Sequence, residues 1–233
     1  MAARKKAEKE KTGGEEEAKK SYAISESELE ELLSPKNKID LELEKKLGEM
    51  KAGFTALAIV EPQNYTESRM GLLRRFVKKK KMAGVFVTVN KPFEKLLQEI
   101  RAEGIDADKV RFVDMISNTT GSEKEGLKGG AGVDFLESTG DLTELIMVCE
   151  KRLNGIKGEK FIVLDSVSAL LVYNQTEAVE KFIHALANKI SKAAAFGVII
   201  IIESRQFEGA IQTLSQFCDG VVKVGDERGI VGI

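Results

Sequence analysis

Residues 161–166 read Phe-Ile-Val-Leu-Asp-Ser, and residues 198–202 read Val-Ile-Ile-Ile-Ile. Neither run alternates apolar with polar side chains. Short apolar runs of this kind suit strands buried on both faces, the mark of a parallel sheet covered by helices. Two more runs share the pattern: Phe-Thr-Ala-Leu-Ala-Ile-Val at 54–60 and Val-Phe-Val-Thr-Val at 85–89. Val-Arg-Phe-Val at 110–113 reads as a weaker strand, and Gly-Val-Val-Lys-Val at 220–224 as an edge strand. Between them lie helical patterns at about 66–81, 92–103, 142–154, 176–195 and 207–216. In the longest, Val179, Phe182, Ile183, Leu186 and Ile190 recur at helical spacing and form one apolar stripe. Strands alternating with helices imply right-handed crossovers and an α/β, doubly wound, mostly parallel sheet flanked by helices.

Outside this core, predicted to span 52–225, residues 1–24 form a charged tail that starts almost wholly with Lys, Glu, Ala and Gly. Such a stretch cannot offset its ordering entropy by burial, so the expectation is disorder. Residues 25–51 read as a helical lead-in. Ser27 and Glu30 have capping-box spacing ahead of Leu32 and Leu33, Ser34-Pro35 ends that helix, and a second pattern runs from about Asp40 to Met50. Residues 226–233 form a C-terminal tail. Residues 117–140 are rich in Gly, Ser and charge and are predicted to be a long loop. Its glycine-rich run at 129–132 has the composition of an anion nest, but flexibility is the simpler reading.

The 233 residues carry a formal net charge of −1, so no global field favours nucleic acid or an anionic membrane. The two cysteines, Cys149 and Cys218, lie in no metal-ligand spacing and read as buried thiols in a reducing cytoplasm. There is one histidine, His184, so no histidine cluster or triad can be built. No apolar stretch is long enough to span a bilayer, and the N-terminus lacks the apolar region of a secretory signal.

In an open α/β sheet, ligands bind outside the carboxyl ends of the strands. After the first strand the chain reads Val60-Glu61-Pro62-Gln63-Asn64-Tyr65-Thr66-Glu67-Ser68-Arg69 and opens a helix. Here it resembles the RecA superfamily, closest to the KaiC-like, archaeal-type ATPases, which carry a phosphate loop of the form GEPGSGKT. Glu61-Pro62 matches. Aligned on that pair, Tyr65 replaces the glycine before the lysine, Thr66 the lysine and Glu67 the metal-binding hydroxyl. Sliding by one puts Glu67 at the lysine and Ser68 at the hydroxyl. A phosphate loop needs glycines to turn its N–H groups inward and a lysine to neutralise the phosphates. This segment has neither. Arg69, Arg74 and Arg75 offer partial compensation, although the simpler reading puts them on a solvated helix face.

The second strand ends in Asn90-Lys91, where the resemblance implies paired glutamates, one of them activating water. Neither residue is a carboxylate base. Asp165-Ser166 is similar to the end of the family's magnesium-side strand, implying that Asp165 would hold Mg²⁺ through water if ATP were bound. The alternative, which we favour, is that the pair orients the following turn. Glu203 stands where the family often has a polar sensor, and Cys218-Asp219-Gly220 resembles the entry to its edge strand. The resemblance covers about 50–225.

The reading is therefore a non-catalytic RecA/KaiC-like domain with no cofactor and a regulatory or scaffolding role, acting through a protein partner or self-association. One alternative is a divergent protein binding ATP with Mg, or a slow ATPase, using Thr66, Ser68, Arg69, Asp165, Ser166 and Glu203. The other is a nucleic-acid accessory factor using the tail, Lys91 and the Lys78–Lys81 run, although cations suit a helix C-terminus without any DNA.

Overall fold

The computed structural model describes residues 34–117 and 132–225. The predicted tails and the glycines at 129 and 130 lie outside the described residues. The chain divides into two units, Met1–Lys38 and Ile39–Ile233. Of the first, only the residues from Ser34 are described. They open helix α1 (Pro35–Lys46). Ser34 Oγ accepts from the Asn37 N–H at 3.3 Å, and Pro35 fills the first helical position, where its missing N–H costs nothing. The helix expected from Asp40 thus starts five residues earlier, because Ser34-Pro35 opens it; the helix expected ahead of Ser34 lies outside the described residues.

The second unit holds a seven-stranded sheet: β1 (Thr55–Val60), β2 (Ala83–Thr88), β3 (Val110–Asp114), β4 (Val133–Phe135), β5 (Lys160–Asp165), β6 (Phe196–Ile202) and β7 (Gly220–Val224). The order is β4-β3-β2-β5-β6-β1-β7 and every pairing is parallel. The helices are α2 (Tyr65–Leu73), α3 (Phe93–Ala102), α4 (Leu142–Asn154), α5 (Val167–Tyr173), α6 (Thr176–Lys192) and α7 (Glu208–Ser215). α2 continues as a π-helical turn over Arg74–Lys79, which takes up the rest of the helix expected to 81. Two elements were not expected: β4, inside the segment read as loop, and α5, which directly follows Ser166.

Alternate residues of each strand face two separate cores. Leu57, Val85, Val87, Ile162, Leu164, Ile199 and Ile201 pack with α4 to α7. Ala56, Ala58, Phe86, Phe161, Val163, Val198 and Ile200 pack with α1 to α3. Connections running toward β4 cover one face and those running toward β7 the other, as uniformly right-handed crossovers require. The predicted stripe of α6 is buried throughout.

The Asp219-Gly220 entry to β7 is pinned to the start of β1. Asp219 Oδ2 accepts the Thr55 N–H at 2.7 Å, and the Asp219 N–H donates to the Thr55 carbonyl at 2.8 Å. Both cysteines are buried free thiols, as expected, and burial pushes each up to about 12.

One glycine carries a large packing constraint. A Cβ on Gly84 would sit 2.3 Å from Cδ1 and 2.4 Å from Cγ of Phe161, whose ring stacks on Phe76 at 4.9 Å. Phe161 is fully buried and cannot swing away. Gly84→Ala is therefore expected to destabilise the fold by about 1–3 kcal/mol, measured by urea unfolding. An unchanged midpoint would show that the Phe76–Phe161 stack can shift without cost.

Candidate functional site

β2 and β5 are neighbours, yet the chain leaves them in opposite directions, toward β3 and toward β6. A crevice opens where connections diverge like this. Thr88 and Asp165 are register partners at its edge, and the Val89 N–H donates to the Asp165 carbonyl at 2.7 Å.

Asp165 is completely buried. Tyr65 and Arg69, one helical turn apart at the start of α2, both reach it. The Tyr65 hydroxyl donates to Oδ1 at 2.5 Å, and Arg69 NH1 stands 3.8 Å from Oδ2. The guanidinium, itself 0% exposed, lies 5.6 Å from the centre of the Tyr65 ring and donates from NH2 to Glu99 Oε2 at 2.5 Å. Lys91 Nζ pairs with the other Glu99 oxygen. Asn90 Nδ2 donates to the Tyr65 hydroxyl and to Ser166 Oγ, each at 2.9 Å. The Asp165–Ser166 peptide bond is cis.

Two cations and two carboxylates thus balance in one cluster, which tolerates burial because each charge has a partner. The balance is incomplete at Asp165. Burial raises its carboxyl to about 6, against the lowering effects of the Arg69 charge, the Tyr65 hydrogen bond and Lys91. Burial also pushes the Tyr65 phenol up, with the Asp165 charge and hydrogen bond adding to it. The phenol stays a donor at any ordinary pH.

Of the sequence-predicted site residues, Arg69, Asp165 and Ser166 come together here. Thr66 is exposed. Ser68 is buried, and its hydroxyl donates back to the Asn64 carbonyl at 2.7 Å. Glu203 pairs with Lys223 at 2.6 Å. The three arginines correct the expectation of a solvated helix face, being 0%, 5% and 6% exposed at Arg69, Arg74 and Arg75. Arg74 binds Asp40 through Nε and NH2 and reaches Glu67 at 3.2 Å and Glu103 at 3.4 Å. Arg75 pairs with Glu44 at 2.5 Å. Helix α1 supplies Asp40 and Glu44, so it covers the face of α2 that the sequence pattern left to solvent.

Sequence reasoning missed the parts played by Tyr65 and Glu99. Tyr65 had a signal, a bulky phenol where the resembling loop has glycine. Glu99 had none, since it meets Arg69 only through the packing of α3 on α2. Among the described residues, no group of three or more His, Cys, Asp and Glu side chains is placed to hold a metal ion. No helix of the described residues is long and apolar enough to cross a membrane.

The model of a family described as "Family of unknown function (DUF7504)" matches residues 62–224. The chain belongs to that family. Among solved structures, this DUF7504 member is similar to the KaiC-like protein PH0186 of the hyperthermophilic archaeon Pyrococcus horikoshii OT3. The TM-score is 0.55 at 13% identity, covering 78% of this chain and 75% of that one. It is also similar to the uncharacterized protein PH0321 of Pyrococcus horikoshii, solved in complex with an unknown peptide. There the TM-score is 0.58 at 17% identity, covering 82% of this chain and 86% of that one. These likenesses establish a RecA-like α/β fold. No curated protein matches the chain.

Proposed function

We propose that this DUF7504 member is a RecA-like domain that does not turn over ATP and works through contacts with other proteins, in a regulatory or scaffolding role. The observation carrying this reading is the state of Asp165. At the strand end where an ATPase of this fold would present a carboxylate to a hydrated magnesium ion, the carboxylate is closed off by the chain's own Tyr65 hydroxyl and Arg69 guanidinium.

The residues present do not fit ATP with magnesium. The loop from Val60 to Glu67 contains no glycine and no lysine. Glu61 accepts side-chain hydrogen bonds from Gln63 at 2.7 Å and Asn64 at 3.2 Å, which leaves a carboxylate where phosphate oxygens would lie. The arginines that could replace the lysine are engaged by Glu99, Asp40 and Glu44. Asn90, at the position of a water-activating carboxylate, instead donates hydrogen bonds into the cluster. A contact-based role also agrees with the peptide held by the similar PH0321. The buried free thiols suit a reducing compartment such as the cytoplasm.

The test is calorimetric titration of the full chain with Mg·ATP, beside Asp165→Ala. No heat of binding is expected from either protein. Saturable binding that disappears in the variant would overturn the reading and make the cluster a nucleotide site.

A further inference from the structure

The sheet ends in β4 on one side and β7 on the other, and the fold treats these two edges differently. The outer edge of β7 is sealed by α1. Lys46 Nζ donates to the Lys223 carbonyl at 2.5 Å, and the Glu42 carboxylate accepts the Gly225 N–H at 3.0 Å. Two side chains there stand in for a neighbouring strand.

Nothing comparable seals β4 among the described residues. The Phe112 N–H donates to the Gly132 carbonyl, and the Leu136 N–H to the Asp114 carbonyl, each at 2.9 Å. Phe112 lies opposite Val133, and Asp114 opposite Phe135. In this register Gly132, Asp134 and Leu136 turn their backbone groups toward β3, so Val133 and Phe135 turn theirs outward. Those outward groups meet no hydrogen-bond partner among the described residues. Their N–H and C=O groups, paired at positions about 7 Å apart, fit the backbone of another extended chain.

The side chains add a preference. Val133 and Phe135 are half-buried on the side of α3, where Phe135 meets the Phe93 ring edge-on at 6.3 Å. On the other side Arg111 lies across Gly132, where a Cβ would sit 3.2 Å from Arg111 Cδ. The missing side chain leaves the guanidinium a route toward the open edge. It donates to the Asp108 carbonyl at 2.9 Å and pairs with no carboxylate among the described residues. The acid of β4 itself, Asp134, is held by Arg152 at 2.5 Å.

We propose that the outer edge of β4 takes up an extended segment of a partner protein as an added strand. Its apolar side chains lie on the α3 side beside Val133 and Phe135, and an acidic one lies on the other side beside Arg111. This gives a surface to the contacts proposed above. It does not depend on how the Asp165 cluster is read, and its failure would leave the Mg·ATP result standing.

The probe is the blocked peptide Val-Glu-Val-Glu-Val, added to the full chain and followed by amide NMR shifts and hydrogen exchange. It is expected to shift the Val133 and Phe135 amides saturably at about millimolar concentration and to slow their exchange. Val-Lys-Val-Lys-Val should bind about threefold to tenfold more weakly, and Arg111→Glu should reverse that order. Val133→Pro removes an outward N–H without touching the bonds to β3, a change that edge strands tolerate. It should weaken the peptide by about fivefold, the scale of one hydrogen bond, whereas Val133→Ala keeps the N–H and should bind like the parent. If Val133→Pro does not fold, the Arg111 charge swap decides. No saturable shift at these two amides, equal binding by Val133→Pro, or an unchanged peptide order in Arg111→Glu would each overturn the proposal. A parent dimer that Val133→Pro makes monomeric in sedimentation would also overturn it, giving the edge to a second copy of the chain.

Discussion

Replacing Arg69 by methionine is expected to cost about 3–5 kcal/mol of stability at pH 8 and clearly less at pH 5. The methionine fills much of the same volume, so the loss is electrostatic in origin. It strips the Asp165 carboxylate of the cation 3.8 Å away and leaves Glu99 with Lys91 alone. An unpaired buried carboxylate takes up a proton more readily, so its pKa in the variant rises above that in the parent. At pH 5 it is protonated and the missing guanidinium matters little. At pH 8 the folded variant must either hold a bare charge or bind a proton from a dilute pool. Urea unfolding of parent and variant at the two pH values measures this directly. An equal loss at both would mean that Arg69 acts through packing alone.

The second large effect is in the pH dependence carried by Asp165 itself. Its folded pKa is raised from 3.8 to about 6, chiefly by burial. A carboxyl with a raised folded pKa favours the folded state while it is neutral. That contribution is complete below the unfolded value and is lost as pH rises through the folded one. A shift of about two units corresponds to about 3 kcal/mol, withdrawn between about pH 4 and pH 6. Asp165→Asn cannot titrate. The stability of this variant relative to the parent should therefore climb by about 3 kcal/mol from pH 4 to pH 7, whatever its offset at pH 4. The other carboxylates, Glu44 among them, are untouched by the substitution. Burial raises Glu44, but the Arg75 hydrogen bond and charge hold it below its ordinary value. Those groups are common to both proteins and cancel in the difference. A flat difference would show that Asp165 stays ionised throughout, held by Tyr65 and Arg69 more firmly than its burial suggests.

Both effects belong to one arrangement, and both bear on function. The Tyr65 hydroxyl and the Arg69 guanidinium both face the Asp165 carboxylate within the fold. A variant that loosens this cluster, such as Arg69→Met, is also the protein in which to repeat the Mg·ATP titration. On the proposed reading no binding is expected there either, because opening the cluster still leaves a loop without glycine or lysine.

Much of the architecture was legible in the chain itself, for a physical reason. Strands buried on two faces are apolar at nearly every position, so the runs at 54–60, 85–89, 161–165 and 198–202 mark four of them in one dimension. The stripe of α6 is equally local. β4 was not legible, because it has three residues and none of them is buried. The opening of α1 was hidden for a different reason. Pro35 both ends and begins helices, and sequence alone does not say which.

The site divides along the same line. Residue identity alone shows that the loop after β1 lacks glycine and lysine, that Asn90-Lys91 follows the second strand with no carboxylate there, and that Asp165 stands at a strand end. Those are statements about residue identity at places set by short-range pattern. Only the tertiary structure decided what Asp165 faces. Tyr65 lies 100 residues from it in the chain, and Arg69 meets Glu99 across 30. The arginines of α2 read as solvated because a helix pattern shows which face is apolar, not which neighbour covers the polar one. Here α1 and α3 cover it with carboxylates, and a charge that looked free for a ligand is bound within the fold.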